Sequence, residues 1–587
     1  MHTRRRQATG FTTLAIHASL TGAALAGGPT PQLLMVTGAT APGTDGALFA
    51  ECYEPPAVDE AGRVLFLAGI ERDGVSVDFG NDYGMWVTES GTTLLVREGD
   101  PAPGTTGPVF NYFTGEPSLV GFRGGRVAFY AALRDDGGGI DSTNSSGIWA
   151  GPLDAIDLIA RAGDGAPGTE GAVFEDFNNP SLTASGLLAF PGFLVPGVGD
   201  ATPGHEGGSW IGVPGSLAVA ARRGDPAPGT PSNFWYLSDP IVSDSGEFAV
   251  GGEIETGVNG VTYMDSDCLW LTRGGTLELL AREASPVPGI AGAEFGIIAS
   301  PTINGVGEVA FYAVMQGAVT GYDNAAIFTG DHDTLGLLVR EGDEPPGVPG
   351  ARFLSFSFPL ITDTGRVLFY AALRVEGGVN STNDEGIWEG TPGELRLVAR
   401  KGDEAPGTGG ARFLRLLIPI TNNRGDVVLR ADLRPGEHGV TTDNDRGIWA
   451  RPAGATDFTL IAREGDMIDV DPSPGGEDRR TIGNFFPFRG GAAGGHGQPS
   501  MLNEAGRLAY TIVFDDDSTA VFALDLESLP CSLADLAEPL GTLDLADVLA
   551  FVEAFGLMNS RADLDGNGLF DLADIVAFVD TFNAGCP

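Results

Sequence analysis

The sequence predicts a mainly β chain in which eight successive four-stranded units of about sixty residues close into a ring, followed by a small α-helical domain. Three observations predict it. A phrase that reads LLVREGDPAPGTTG at Leu94 returns in variants at Leu158, Ala218, Leu279, Leu337, Leu397 and Leu460, with a degenerate copy, LLMVTGATAPGTDG, at Leu33. A Gly holds the same place in all eight units, at Gly62, Gly125, Gly186, Gly246, Gly307, Gly365, Gly425 and Gly506. Helical periodicity is almost absent from these units and emerges only near the C-terminus, in DLADVLAFVEAF and DLADIVAFVDTF.

A chain of 587 residues is too long for one ordinary core, and 89 Gly and 39 Pro beside 42% hydrophobic residues favour a turn-rich repeat over disorder. The opening residues carry Arg4, Arg5 and Arg6, an apolar run from Phe11 and an Ala24-Leu25-Ala26 cleavage pattern. We read residues 1–26 as a signal peptide, which places the protein outside a bacterial cell or on its surface. No later stretch is long and apolar enough for a membrane helix. The formal charge of −44 excludes nucleic acid as a natural partner, and cleavage would remove three Arg and no acid.

Within the repeat region, residues 27–528, the arginines at 97, 161, 222, 282, 340, 400 and 463 lie 58 to 64 residues apart. Each unit continues with an F-x-x-F-like segment, a turn, an alternating apolar run such as TDTGRVLF ending at Phe369, a polar loop, and a short aromatic strand. That strand is GIW at Trp149, Trp388 and Trp449, GMW at Trp86, CLW at Trp270 and AIF at Phe328, with Trp210 in the third unit. The repeated Gly implies a positive φ in the turn before a strand. We expect an eight-bladed β-propeller: a strand such as LLVR ends one blade and leads into the next, and the orphan strand QLLMV completes the last blade beside AVFALDL. The alternative is two smaller β-domains of four units each.

Six units keep both the Arg and the Asp of R-x-G-D, as in Arg97 with Asp100, and the first unit loses both; this predicts a charge-assisted pair that fixes the turn or bridges blades. Asn81, Asn144, Asn383 and Asn444 recur in the polar loop, where Asn folds back on its own backbone, so a hairpin staple is expected. These loops resemble the Asp-box hairpin of sialidase-like propellers, although the acid stands three rather than two residues before the Gly. No nucleophile elbow, phosphate loop or H-E-x-x-H helix occurs, and none of the six His has zinc-ligand spacing. Cys52 and Cys268, in the first and fourth units, are expected to stay unpaired.

The C-terminal domain, residues 531–587, carries the sharpest chemistry. A twelve-position calcium loop needs oxygen ligands at positions 1, 3, 5, 7, 9 and 12 and a Gly at 6. Counting from Asp563 supplies Asp563, Asp565, Asn567, the Leu569 carbonyl, Asp571 and Asp574, with Gly568 at the bend. The loop leads into a helix with Leu572, Ile575, Val576, Val579 and Phe582 at helical spacing, and the same helix occurs 27 residues earlier with Asp544, Asp547, Phe551 and Phe555. The first loop is one residue longer and has Ala537 at position 3; weak calcium binding, use of Glu538, or a metal-free turn all remain open. Cys531 and Cys586 bracket the domain, and a disulfide between them would add about 4 kcal/mol in the chain-entropy model, less any strain.

This duplicated loop-helix unit with Asp at position 12 resembles a type I dockerin, and PCSLADLAEP with AGCP is similar to the variant with terminal Cys on secreted bacterial proteins. The resemblance implies an EF-hand-like fold, bound calcium and a cohesin-like or cell-envelope partner. The preceding units are similar to tandem N-x-x-G-x-x-A-F repeat proteins of planctomycete-like bacteria, NGVGEVAF at Asn304 being the nearest copy. Together these readings predict a secreted, non-catalytic binding or scaffold protein, whose propeller takes a glycan or protein ligand. The alternative is a glycan-acting hydrolase or lyase carrying a dockerin.

Overall fold

The computed structural model describes residues 31–113, 120–134, 139–471, 477–488, 498 and 500–529, and, in the C-terminal domain, residues 532, 534–537, 542–557, 562, 564 and 569–585. Residues 1–26, read above as a signal peptide, lie outside the described residues.

Eight antiparallel sheets follow one another along the chain. Blade 1 consists of Ala57–Val58, Val64–Gly69, Tyr83–Thr88 and Thr92–Arg97, and blades 2 to 7 repeat this meander through residue 463. Blade 8 is built from Arg479–Phe485, Arg507–Phe514 and Thr519–Asp525, and its outer strand is Gln32–Val36, paired antiparallel with Thr519–Asp525 from Gln32 opposite Ala523 to Val36 opposite Ala520. The N-terminal strand therefore closes the last blade as expected, and eight units form one ring rather than two domains of four. The first strands of blades 1 to 6 touch in succession, and Ala57–Val58 of blade 1 also meets Arg507–Phe514 of blade 8, which puts these strands innermost around the axis.

The repeated residues are explained by bonds that recur from blade to blade. A Trp on the third strand is fully buried and donates its indole N–H to the Pro carbonyl of the A-P-G or P-P-G loop that leads into its own blade: Trp149 to Pro103 at 3.0 Å, Trp388 to Pro346 at 3.0 Å, Trp449 to Pro406 at 2.9 Å. The first Phe of F-x-x-F meets that Trp edge-on, with centroids 5.0 Å apart for Phe110 and Trp149 and for Phe353 and Trp388. The Gly of G-x-W is a matter of space. A Cβ at Gly84, Gly147, Gly208, Gly386 or Gly447 would lie 2.6–3.0 Å from the Trp ring.

The expected Arg–Asp ion pair of R-x-G-D is corrected by the structure. Both residues fix the turn, but separately. The Asp carboxylate accepts the Arg backbone N–H, at 2.8 Å for Asp100 and 2.9 Å for Asp343, while the Arg guanidinium donates to a carbonyl of the polar loop in the same blade, as from Arg161 to Asn144 and from Arg400 to Asn383, each at 3.0 Å. The polar loops are stapled as expected: Asn144 accepts the N–H of Asp141 at 2.9 Å and Asn383 that of Asn380 at 2.8 Å. Cys52 and Cys268 are free and buried, which pushes both thiols up to about 12.

All eight repeated turn glycines have φ between 70° and 93°. Three residues before every one of these Gly except Gly125, where Phe122 stands, a polar residue caps the turn, and where it is Asn it also reaches the next blade. Asn503 Oδ1 accepts the N–H groups of Ala505 and Arg507 at 3.0 and 2.8 Å, while its Nδ2 donates to the Asp59 carbonyl of blade 1 at 2.8 Å. Asn304 and Asn422 make the same bond to the carbonyls of Thr362 and Asn503, at 2.9 and 2.8 Å.

In the C-terminal domain, α1 (Leu545–Gly556) and α2 (Leu572–Ala584) pack through Phe551 and Phe578, stacked at 4.2 Å. Among the described residues no helix is long and apolar enough to cross a membrane.

Asn503→Ala removes the acceptor of the Ala505 and Arg507 N–H groups and the donor to the Asp59 carbonyl where the ring closes, so it should cost about 1–3 kcal/mol in a denaturant titration. An unchanged midpoint would show that blades 8 and 1 hold together without this bond.

Candidate functional site

Of the six expected calcium ligands, Asp563, Asp565 and Asn567 lie outside the described residues, as do Cys531, Cys586 and Glu538. Leu569 is exposed. Asp571 caps α2 by accepting the Ala573 N–H at 2.7 Å, and the fully buried Asp574 accepts the N–H groups of Leu564 and Asp571 at 2.8 and 3.0 Å. The first unit copies this: Asp544 caps α1, and buried Asp547 accepts the N–H groups of Leu536, Ala537 and Asp544 at 2.7, 2.8 and 2.8 Å. A carboxylate at position 12 thus ties loop to helix in both copies through backbone donors. Among the described residues no group of three or more His, Cys, Asp or Glu is arranged to hold a metal ion.

The apolar residues of the helices divide sharply. Phe551 and Phe578 are buried, whereas Leu545, Leu549 and Val552 on α1 and Leu572, Val576 and Val579 on α2 are 47–71% exposed. Helical spacing predicts the helices but not which of their apolar residues are covered, and these six stay in water while Val548, Phe555 and Phe582 pack partly against the core.

A second cluster, which the repeat analysis overlooked, occupies the propeller axis. The residue that follows the capping position is Glu60, Asp244, Asp363, Asn423 and Glu504 in blades 1, 4, 6, 7 and 8. Each accepts a backbone N–H from a neighbouring blade: Glu60 from Gly124 at 2.6 Å, Asp244 from Ala184 at 3.0 Å, Asp363 from Gly305, Asn423 from Asp363 at 2.6 Å and Glu504 from Asn423 at 2.8 Å. Arg123 of blade 2 spans the belt, with Nε on Glu60 of blade 1 and Nη2 on Asp244 of blade 4 at 2.9 Å. Only at the axis can one side chain reach both. Burial, then the neighbouring Asp363 and Asp426, push Glu504 up to about 7 against the opposing pull of the Asn423 N–H and Arg123. Aligning the eight turns by their Gly would have revealed this column of acids.

A third feature is a cleft of about 770 Å³ where blades 2 and 3 meet. A one-residue bulge interrupts the first strand of both blades within F-x-x-F, between Phe110 and Tyr112 and between Phe174 and Asp176, and turns the intervening pair outward. Asp176 accepts hydroxyl hydrogen bonds from Ser146 at 2.7 Å and Tyr130 at 3.2 Å across the blade boundary. Burial, then the Asp176 carboxylate, raise the Tyr130 hydroxyl far above its ordinary value, so it remains a donor. Opposite stand Glu206, lowered chiefly by the Gly204 N–H, and Arg223, whose guanidinium lies 5.5 Å over the Tyr236 ring of blade 4.

Two other carboxyls are shifted upward mainly by burial, Glu98 to about 8 and Glu464 to about 7. They hold equivalent repeat positions on blades 1 and 7, with blade 8 between them, so they do not form the close acid pair that glycoside hydrolysis uses.

Radial sheets, an axial belt and an apolar-faced helical pair define an eight-bladed propeller with an appended helical module. The chain belongs to the family of unknown function DUF7453, whose model matches residues 9–202 and 197–534 and ends before α1. No curated protein matches it. Similar solved structures include the acylaminoacyl peptidase of Pyrococcus horikoshii, 10% identical over 71% of this chain and 52% of that one with a TM-score of 0.35. They also include the polysaccharide lyase Uly1, 10% identical over 73% and 93% with a TM-score of 0.34, and an α-L-arabinanase of Penicillium chrysogenum, 12% identical over 60% and 93% with a TM-score of 0.25. The chain spans about half the length of the peptidase. Likeness at this level identifies neither an activity nor a ligand.

Between about pH 4.5 and 7 the folded state holds a proton on Glu504 that the unfolded chain has released, so this group withdraws stability as pH rises through that window. Glu504→Gln should raise the melting temperature more at pH 8 than at pH 5. A gain independent of pH would show that this carboxyl titrates normally.

Proposed function

We propose that the protein is a secreted, non-catalytic binding protein whose propeller presents a ligand surface while its helical module docks onto a cohesin-like or other envelope protein. The observation that carries this reading is the paired apolar stripe on α1 and α2, which the module leaves in water. It is supported by the occupation of the repeated polar residues: the R-x-G-D Asp, the turn Asn and the loop Asn bind backbone groups of the fold.

In this reading Asp563, Asp565, Asn567, the Leu569 carbonyl, Asp571 and Asp574 hold one calcium ion. The donor set fits, being all hard oxygen. Ten acids stand against one Arg between Cys531 and Pro587, a balance that a divalent cation would relieve. The ion would order the loop and thereby set α2 against α1. A disulfide between Cys531 and Cys586 would close the same module.

Calcium should raise, and EDTA lower, the module's melting transition in the full chain, with the propeller transition unmoved. Leu549→Glu with Val576→Glu should abolish calcium-dependent retention of an envelope protein while leaving the heat of calcium binding intact. Identical melting in calcium and EDTA would remove the ion from the account; retention unaffected by the two substitutions would remove the apolar stripe.

A further inference from the structure

Blades 2, 3 and 4 differ from blades 5, 6 and 7 at one repeated place. The outward pair within F-x-x-F is Gly296-Ile297, Leu354-Ser355 and Leu414-Arg415 in blades 5, 6 and 7, but Asn111-Tyr112, Glu175-Asp176 and Trp235-Tyr236 in blades 2, 3 and 4. Tyr112, Trp235 and Tyr236 are 47%, 50% and 47% exposed. Trp235 falls in the bulge itself, between Phe234 and Tyr236, so nothing in the sheet requires an indole there. Large rings left in water on an innermost strand are costly unless something covers them.

The polar groups among these rings are already in place. Asp176 is held by Ser146 and Tyr130, so its carboxylate is oriented without a ligand. Arg223 lines the same cleft and stands over the Tyr236 ring, and its buried Nε has no hydrogen-bond partner among the described residues. Trp235 stands beside Gly204, two residues before Glu206 of the cleft, which extends the feature from blade 2 to blade 4. His205 beside it is held by Glu255 at 2.8 Å. An oriented acceptor, an unused donor and several exposed rings suit a ligand that alternates apolar faces with hydroxyl groups. Glu175, Asp176 and Glu206 outnumber Arg223, so an anionic ligand is disfavoured.

We propose that the cleft between blades 2 and 3, continued to Trp235 and Tyr236 on blade 4, is a binding site for an uncharged polysaccharide. Sugar rings lie against Tyr112, Trp235 and Tyr236, their hydroxyl groups donate to Asp176, and a ring or hydroxyl oxygen accepts from Arg223. The proposal rests on the reading of the propeller as a binding ring and supplies its ligand class.

The test is affinity electrophoresis of the full chain in gels containing β-1,3-glucan, glucomannan, xyloglucan or, as the anionic control, polygalacturonate. Retardation is expected in at least one neutral gel and not in polygalacturonate. Trp235→Ala and Tyr236→Ala should each weaken it at least tenfold with the melting temperature unchanged, since both side chains are exposed, and Asp176→Asn should weaken it less. Retardation in none of the neutral gels, retardation confined to polygalacturonate, or retardation unaltered by both aromatic substitutions would overturn the site. Reducing ends assayed on the same polysaccharides separate the two readings. Retardation with steady release of reducing ends would support the site and overturn the non-catalytic reading, whereas failure of the site leaves the docking of the helical module to its own measurements.

Discussion

The structure depends on how eight sheets, each too small to stand alone, are held at a common axis. The residue that caps seven of the eight inner turns, all but that of blade 2, solves two problems at once where it is Asn. Its oxygen satisfies the N–H groups of its own turn, and where it is Asn its amide nitrogen binds the carbonyl of the next turn, so the geometry of one blade is handed to its neighbour. The Gly three residues on is the counterpart of that bond, because the chain must bend through a positive φ for the cap to close. The acidic belt and Arg123 lie immediately beside these turns and inherit their positions from them.

Much of this was legible because a repeated sequence reports constraints several times over. The turn Gly, the Trp that pins the A-P-G loop and the role of Gln32–Val36 all follow from positions that recur, and each has one physical cause. The Arg and Asp of R-x-G-D show where repetition misleads. Their joint presence reveals that both serve one turn, but not that the Asp binds a backbone N–H while the guanidinium goes to a loop carbonyl. Residues that break the repeat were harder to read. Tyr112, Asp176 and Tyr236 sit where the F-x-x-F pattern tolerates anything, and only the bulges at these places and the contacts across blade boundaries give them meaning.

The helical module obeys a different economy. With few residues it cannot cover both faces of two helices, so Phe551 and Phe578 centre a small core with Ala534 and Ala562 while several aliphatic residues stay outside. Period alone could not tell these faces apart, since buried and exposed apolar residues share the same helical spacing. The buried Asp547 and Asp574 show the duplication better than the helices do: each gathers backbone N–H groups from its loop and from the start of its helix, and each couples the conformation of one to the other.

The outer strand of blade 8 comes from the start of the chain, and its partner, Thr519–Asp525, is made almost 490 residues later. Synthesis delivers the two strands at widely separated times, so the circle cannot shut before Thr519–Asp525 has emerged. Until then one blade waits with a bare edge, the kind of surface that recruits the wrong strand from a neighbouring molecule. Closure of this ring is for that reason a late event, which requires the meeting of strands from distant parts of the chain rather than the formation of any single local hairpin.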